Sequence, residues 1–206
     1  MKIIKNILAV LSILSITAMV SCSPEDDIRN PNLNTPAFSE DFSVGAADNT
    51  DLNTPGWTNI AETGTAKWKE QIYSGNAYAE FSSFQSGNAV NVAWLISPDV
   101  DLTDKTNQVL AFRASQSFVS SSANSLEVLI ATDYDGTNLT TANWENLSAT
   151  LPTSSSPFFA FIKSGFIDLS AYNGKVNIAF KVKGSGTNTN LDGSYQIDDV
   201  NIFTKI

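Results

Sequence analysis

The sequence predicts an all-β fold, an antiparallel β-sandwich, on three observations. Short apolar runs rich in β-branched and aromatic residues recur through residues 36–206, each closed by Gly, Asn, Asp, Ser or Pro. Several of these runs alternate apolar and polar residues with period two. No convincing amphipathic stretch of helical period follows the N-terminal leader. Period-two alternation belongs to strands with one wet and one dry face, and two such sheets bury their dry faces against each other.

The predicted strands, in order, are 38–42, 67–73, 77–81, 92–96, 109–114, 126–132, 158–167, 176–182 and 195–203. In residues 175–182, Val176, Ile178, Phe180 and Val182 point one way while Lys175, Asn177 and Lys181 point the other. In the first strand the same counting puts Phe38, Glu40 and Phe42 on one face. In the last it puts Asp198 beside Val200 and Ile202, and Asp199 with Ile197 and Asn201 on the other.

Ahead of this domain lie two segments of different character. Residues 1–21 join a basic start (Lys2, Lys5) to an apolar run over 7–20, shorter than the roughly 20 residues of a spanning helix, which predicts a signal peptide. Ala18-Met19-Val20-Ser21-Cys22 resembles a bacterial lipobox, in which the cysteine is diacylated and becomes the mature N-terminus. Each buried methylene contributes about 0.8 kcal/mol, so one acyl chain anchors marginally and two or more anchor stably. The alternative is a secreted protein with a free thiol, because a single cysteine forms no intrachain bridge.

Residues 22–35 are polar, proline-punctuated and aperiodic, which predicts an acidic flexible tether. Its Ser23-Pro24-Glu25-Asp26-Asp27 resembles the surface-export signal of Bacteroidetes lipoproteins; the alternative is a solvated tether facing the periplasm. The expected location is the outer membrane, lipid-anchored and facing the exterior. About 170 residues remain for one domain with a core of its own.

Composition narrows the chemistry. The chain carries a net charge of −9, and the leader takes two of its few lysines with it, so nucleic acid is an unsuitable partner. There is no histidine. That removes Ser-His-Asp and Cys-His nucleophile activation and His-ligated zinc, and leaves carboxylates as the candidate acid–base groups.

The order of motifs carries a resemblance. It runs from Phe38-Ser-Glu-Asp-Phe42, Gly56-Trp57 and Gly64-Thr-Ala-Lys-Trp68 to Trp94-Leu-Ile-Ser-Pro98 with Val100-Asp101-Leu102, then Leu110-Ala-Phe112 and Ala131-Thr-Asp-Tyr-Asp-Gly136 with Trp144 and Leu147. It ends with Ser164-Gly-Phe-Ile-Asp-Leu-Ser170, Gly174-Lys-Val-Asn-Ile-Ala-Phe180 and Tyr195-Gln-Ile-Asp-Asp-Val200. Over nearly all of 36–206 this resembles the choice-of-anchor J family, related to the cleaved-adhesin domains of bacterial surface proteins. The resemblance implies a jelly-roll β-sandwich of galactose-binding-like or MAM-like type, attached here through the lipid on Cys22. It implies no ligand.

Glu40 and Asp198, each counted onto an apolar face, need a cation, a basic partner or dense hydrogen bonding, because burying an unpaired carboxylate costs several kcal/mol. Oxygen-only ligands in an extracellular setting favour a structural Ca²⁺ held by Glu40, Asp198 and Asp41, in line with the calcium the resemblance implies. The alternatives are pairing with Lys or Arg, or a place at a strand end in water. Asp133-x-Asp135-Gly136 reads as a turn, since no Glu follows at EF-hand spacing, and Asp99-x-Asp101 as a loop closing a strand. Among the aromatic residues able to stack on a sugar, Trp57, Trp68, Tyr73, Tyr78, Trp94, Tyr134 and Trp144, most are expected in the core. Tyr134, between two aspartates, is the best candidate for exposure and ligand contact.

The expected function is that of a non-catalytic surface lipoprotein binding glycan or host and matrix protein. The alternatives are a structural or accessory subunit of a surface complex and, least favoured, a glycoside hydrolase with two acids about 5–9 Å apart across a cleft. An exposed aromatic platform separates the first from the second. Two facing acids in an aromatic-lined groove would favour the third.

Overall fold

A computed structural model describes residues 36–205; the segments expected to be signal peptide and tether, with Cys22, lie outside the described residues. The described residues contain strands and no helix: β1 (Phe38–Glu40), β2 (Thr50–Asp51), β3 (Thr58–Thr63), β4 (Trp68–Tyr73), β5 (Asn76–Ser82), β6 (Asn91–Ile96) and β7 (Val100–Asp101), then β8 (Gln108–Ser117), β9 (Ser125–Ala131), β10 (Glu145–Asn146), β11 (Ile162–Lys163), β12 (Ile167–Asp168), β13 (Lys175–Gly184) and β14 (Ser194–Thr204). All pairings are antiparallel. One sheet runs β11-β8-β14-β5-β4-β2, with β1 also on β14 and β12 on β8. The other runs β10-β9-β13-β6-β3, with β7 on β13. The fold is the expected sandwich, and no described helix is long and apolar enough to cross a membrane.

Alternation builds the core. Leu110, Phe112 and Ala114 of β8, Ala79 and Phe81 of β5, and Tyr195, Ile197, Val200 and Ile202 of β14 meet Ile178, Phe180 and Val182 of β13 between the sheets. Phe180 is fully buried, its ring 5.1 Å edge-on from Phe112 and 6.5 Å from Trp57. Buried Tyr195 donates its hydroxyl to the Asn124 carbonyl, and burial pushes its phenol up to about 12. An unfolded chain loses that proton near pH 10 while the folded one keeps it. The stabilisation is therefore complete below pH 10 and is lost as pH rises towards 12. Tyr195→Phe is expected to flatten the alkaline limb of a melting-temperature profile between those values, and an unchanged limb would refute this origin.

Two departures from the predicted strands matter. β14 carries a bulge between Asp198 and Asn201, with Asp199 in the left-handed region at φ 51°. The extra residue reverses the parity: Val200 and Ile202 face the core, as does Ile197, while Asp198 turns outward. The 158–167 run is not a strand throughout. Only Ile162–Lys163 and Ile167–Asp168 pair with β8, and Phe158 and Phe159 stand in solvent on a turn. A third element, β3, pairs with β6 but lacks the apolar alternation that would have marked it.

Candidate functional site

The outer face of the first sheet is a groove whose floor is written in the strand register. On β5, Asn76, Tyr78, Glu80 and Ser82 face outward, opposite the inward Ala79 and Phe81. Ser82, Ser194 and Ser117 lie in one cross-strand row, and Glu80, Gln196 and Ser115 in the next. Asp198 pairs with Arg113 beyond them. The rows are tied laterally: Ser115 Oγ donates to Gln196 Oε1 (2.6 Å), Gln196 Nε2 donates to Glu80 Oε2 (2.6 Å) and to Ser194 Oγ (3.0 Å), and the Ser117 and Ser194 hydroxyls are 2.6 Å apart. Gln196 and Ser115 are fully buried, so these bonds hold the floor in one arrangement before any ligand arrives.

Aromatic side chains make the walls. At one end a cavity of about 1020 Å³ is lined by Phe84, Phe118, Phe158 and Phe159 together with Glu80 and Asp192. At the other, about 440 Å³ is lined by Tyr73, Tyr78, Phe161 and Arg113, and Phe159 again. Sharing Phe159 makes them neighbouring parts of one groove. Phe118, Phe158 and Phe159 are 62, 51 and 53 % exposed, and the rings of Phe118 and Phe158 sit 4.7 Å apart.

The wall is also strained. Phe118 and Phe159 hold φ of 59° and 58°, where a bulky side chain costs of order 1–3 kcal/mol and such strain clusters at functional sites. Gly193 lets the start of β14 pass close beneath Phe118; a β-carbon there would lie 2.5 Å from the Val119 nitrogen.

The electrostatics follow from the register. Arg113 reaches both Asp198 Oδ2 (2.7 Å) and Asp199 Oδ2 (2.6 Å), with its guanidinium carbon 5.4 Å from the centre of the Phe161 ring. Burial raises the Glu80 carboxyl above the usual range, offset in part by the Gln196 hydrogen bond and by Lys69.

The structure places the three carboxylates expected to hold calcium apart from one another. Glu40 does face inward, opposite Val200, where its carboxylate accepts from the Phe42 amide (2.7 Å) and the Trp57 indole N–H (3.1 Å). Asp198 lies on the other face of the sheet, 1 % exposed, and accepts from Arg113, Asn76 and the Asp199 amide. Asp41 is exposed and caps its own turn through the Ser43 amide and hydroxyl, which lower its carboxyl below the usual range. One ion cannot take Glu40 and Asp198 together across the sheet. Among the described residues no group of three or more Cys, Asp or Glu is placed to hold a metal.

Tyr134 is likewise not an exposed platform. It packs 5.4 Å from the Trp144 ring, which in turn lies tilted 5.3 Å from Trp94 over the outer face of the second sheet. Asp135 caps a turn through Thr137 and Asn138, as expected of Asp-Gly. Of the aromatic candidates in the sequence, Tyr73 and Tyr78 reach the groove. The phenylalanines were missed because an exposed Phe reads as core.

No family model matches the chain, and no curated protein matches it. Solved structures do. The K2 cleaved adhesin domain of Lys-gingipain is similar over 81 % of this chain and 98 % of that one, with a TM-score of 0.51 and 16 % identity. The K1 cleaved adhesin domain of Lys-gingipain from Porphyromonas gingivalis W83 is similar over 83 % and 99 %, at 0.48 and 20 %. A family 22 carbohydrate-binding module of Clostridium thermocellum is similar over 84 % and 96 %, at 0.45 and 12 %. At these identities the likeness to the K2 domain speaks to fold alone, and the fold is a cleaved-adhesin-like β-sandwich.

Proposed function

We propose that residues 36–206 form a non-catalytic binding module, displayed on a bacterial cell surface, that takes glycan into the groove of the first sheet. The observation that carries this reading is the exposed phenylalanine wall above a polar floor already locked by hydrogen bonds. A pyranose presents an apolar C–H face and a ring of hydroxyls; the first suits an aromatic ring and the second suits fixed Ser, Gln and Glu side chains. A lone structural subunit would have no need of strained, solvent-facing Phe118 and Phe159.

The test is a glycan array probed with the soluble domain. Phe118→Ala and Phe158→Ala should each weaken any hit about tenfold or more, as expected for an aromatic hot spot, with the melting temperature nearly unchanged. Hits that survive both substitutions would place binding elsewhere.

One observation favours a second reading. Glu80, with its raised carboxyl, and Asp192 line the same cavity, and a glycosidase works with two such acids. Incubating each array hit with the domain and measuring new reducing ends decides between the two; release abolished by Glu80→Gln would make the groove catalytic.

The lipobox-like sequence supports attachment through an acylated Cys22, in keeping with display at the outer membrane. Radiolabelled palmitate should enter the wild-type chain and not Cys22→Ala. Equal labelling would exclude this anchor.

A further inference from the structure

On the glycan reading above, the charges lining the groove bear on which sugars it admits. Among the described residues lining the wide end, two carry carboxyls, Glu80 and Asp192, and none is a lysine or arginine. At the narrow end the one cation among the described lining residues, Arg113, is engaged by both Asp198 and Asp199. Two lysines stand beside the groove by strand pairing, Lys69 opposite Glu80, which donates its ammonium to Asn49, and Lys163 opposite Arg113; neither is among the residues lining the two cavities. Anionic sugars therefore meet Glu80 and Asp192 at the wide end with no cation in its described lining, and at the narrow end an arginine already shared by two aspartates.

The rest of the lining asks for hydroxyls and C–H surface. Gln196 uses one Glu80 oxygen, Oε2, while Oε1 takes no hydrogen bond from the described residues. A carboxylate oxygen accepts and does not donate, so it suits a sugar hydroxyl and not another carboxylate or a sulfate. The face also has length: β5 from Asn76 to Ser82 is seven residues, about 20 Å at the rise of a strand, enough for several linked rings. We infer that the groove takes an extended, uncharged glycan chain and rejects uronate, sulfated and sialylated chains, with Glu80 as the residue that sets the discrimination.

The experiment uses the soluble domain on an array carrying neutral, uronate-bearing, sulfated and sialylated chains of at least four sugars, followed by calorimetry on representative members. Neutral chains should bind at least tenfold tighter than anionic chains at low salt, and the gap should narrow in 1 M NaCl, where the Debye length falls to about 3 Å. Glu80→Gln, which keeps the shape and removes the charge, should weaken the neutral hits severalfold and bring the anionic chains closer to them. Glu80→Gln combined with Asp192→Asn should bring them closer still. Anionic chains bound as tightly as neutral ones by wild type, or a gap that Glu80→Gln leaves unchanged, would overturn the inference while the glycan reading stands. No binding to any chain would overturn both.

Discussion

Replacing Phe180 by alanine is expected to lower the melting temperature of the domain by roughly 10 °C. The ring is fully buried where the two sheets meet, edge-on to Phe112 and near-parallel to Trp57. Truncating such a phenylalanine costs about 3–5 kcal/mol, the transfer of the ring plus the cavity left behind. For a domain of this size each kcal/mol moves the midpoint by about 2–4 °C. Its register partners Leu95 on β6 and Val128 on β9 are fixed by ladders on both sides, which limits collapse into the hole. Thermal unfolding followed by circular dichroism reads this directly, and a shift under about 3 °C would mean that Phe180 does not bridge the sheets as described.

The second large effect concerns Arg113. Removing it leaves Asp198, 1 % exposed, with a buried charge and only Asn76 and its neighbour's amide as partners. Breaking a fully buried pair from one side costs about 3–5 kcal/mol; because the arginine side chain is 38 % exposed and solvent screens it, about 2 kcal/mol is the better expectation for Arg113→Met. Asp198→Asn should cost less, since the cation it leaves behind still has Asp199 and access to water. The double variant should lose well under the sum of the two single losses, because the shared contact is counted in each. Denaturant titrations of all three report the coupling, and strict additivity would show that the contact is incidental.

Sequence reached the sandwich because its strongest strands are amphipathic. Val176, Ile178, Phe180 and Val182 could occupy only one face, and they do. The β3 strand escaped because Thr58-Asn59-Ile60-Ala61-Glu62-Thr63 has no alternation to read; its place is set by pairing with β6. Glu40 was placed on the right face and Asp198 on the wrong one for a single reason: periodicity assumes an uninterrupted ladder, and nothing in Ile-Asp-Asp-Val announces a residue at φ 51°. The groove was hidden more deeply. Phe158 and Phe159 enter the sequence as one more apolar run, and only tertiary placement shows that their rings lie outside the core. The buried Ser115–Gln196–Glu80 chain is assembled from three strands far apart in sequence, so no local signal could reveal it.

The irregularity in β14 has a further consequence. On its N-terminal side, even-numbered Ser194, Gln196 and Asp198 face the groove; on its C-terminal side, even-numbered Val200 and Ile202 face the core. A single strand thus reads in two phases, with Asp199 as the point where one passes into the other. Deleting that one residue would bring both halves into a common phase with Ser194, Gln196 and Asp198 still on the groove face and Val200 and Ile202 still on the core face, and would remove only the bulge. Asp199 is therefore the one position in this strand whose loss leaves its wet and dry sides in place, whereas a one-residue insertion or deletion within either regular half carries the residues beyond it to the opposite face.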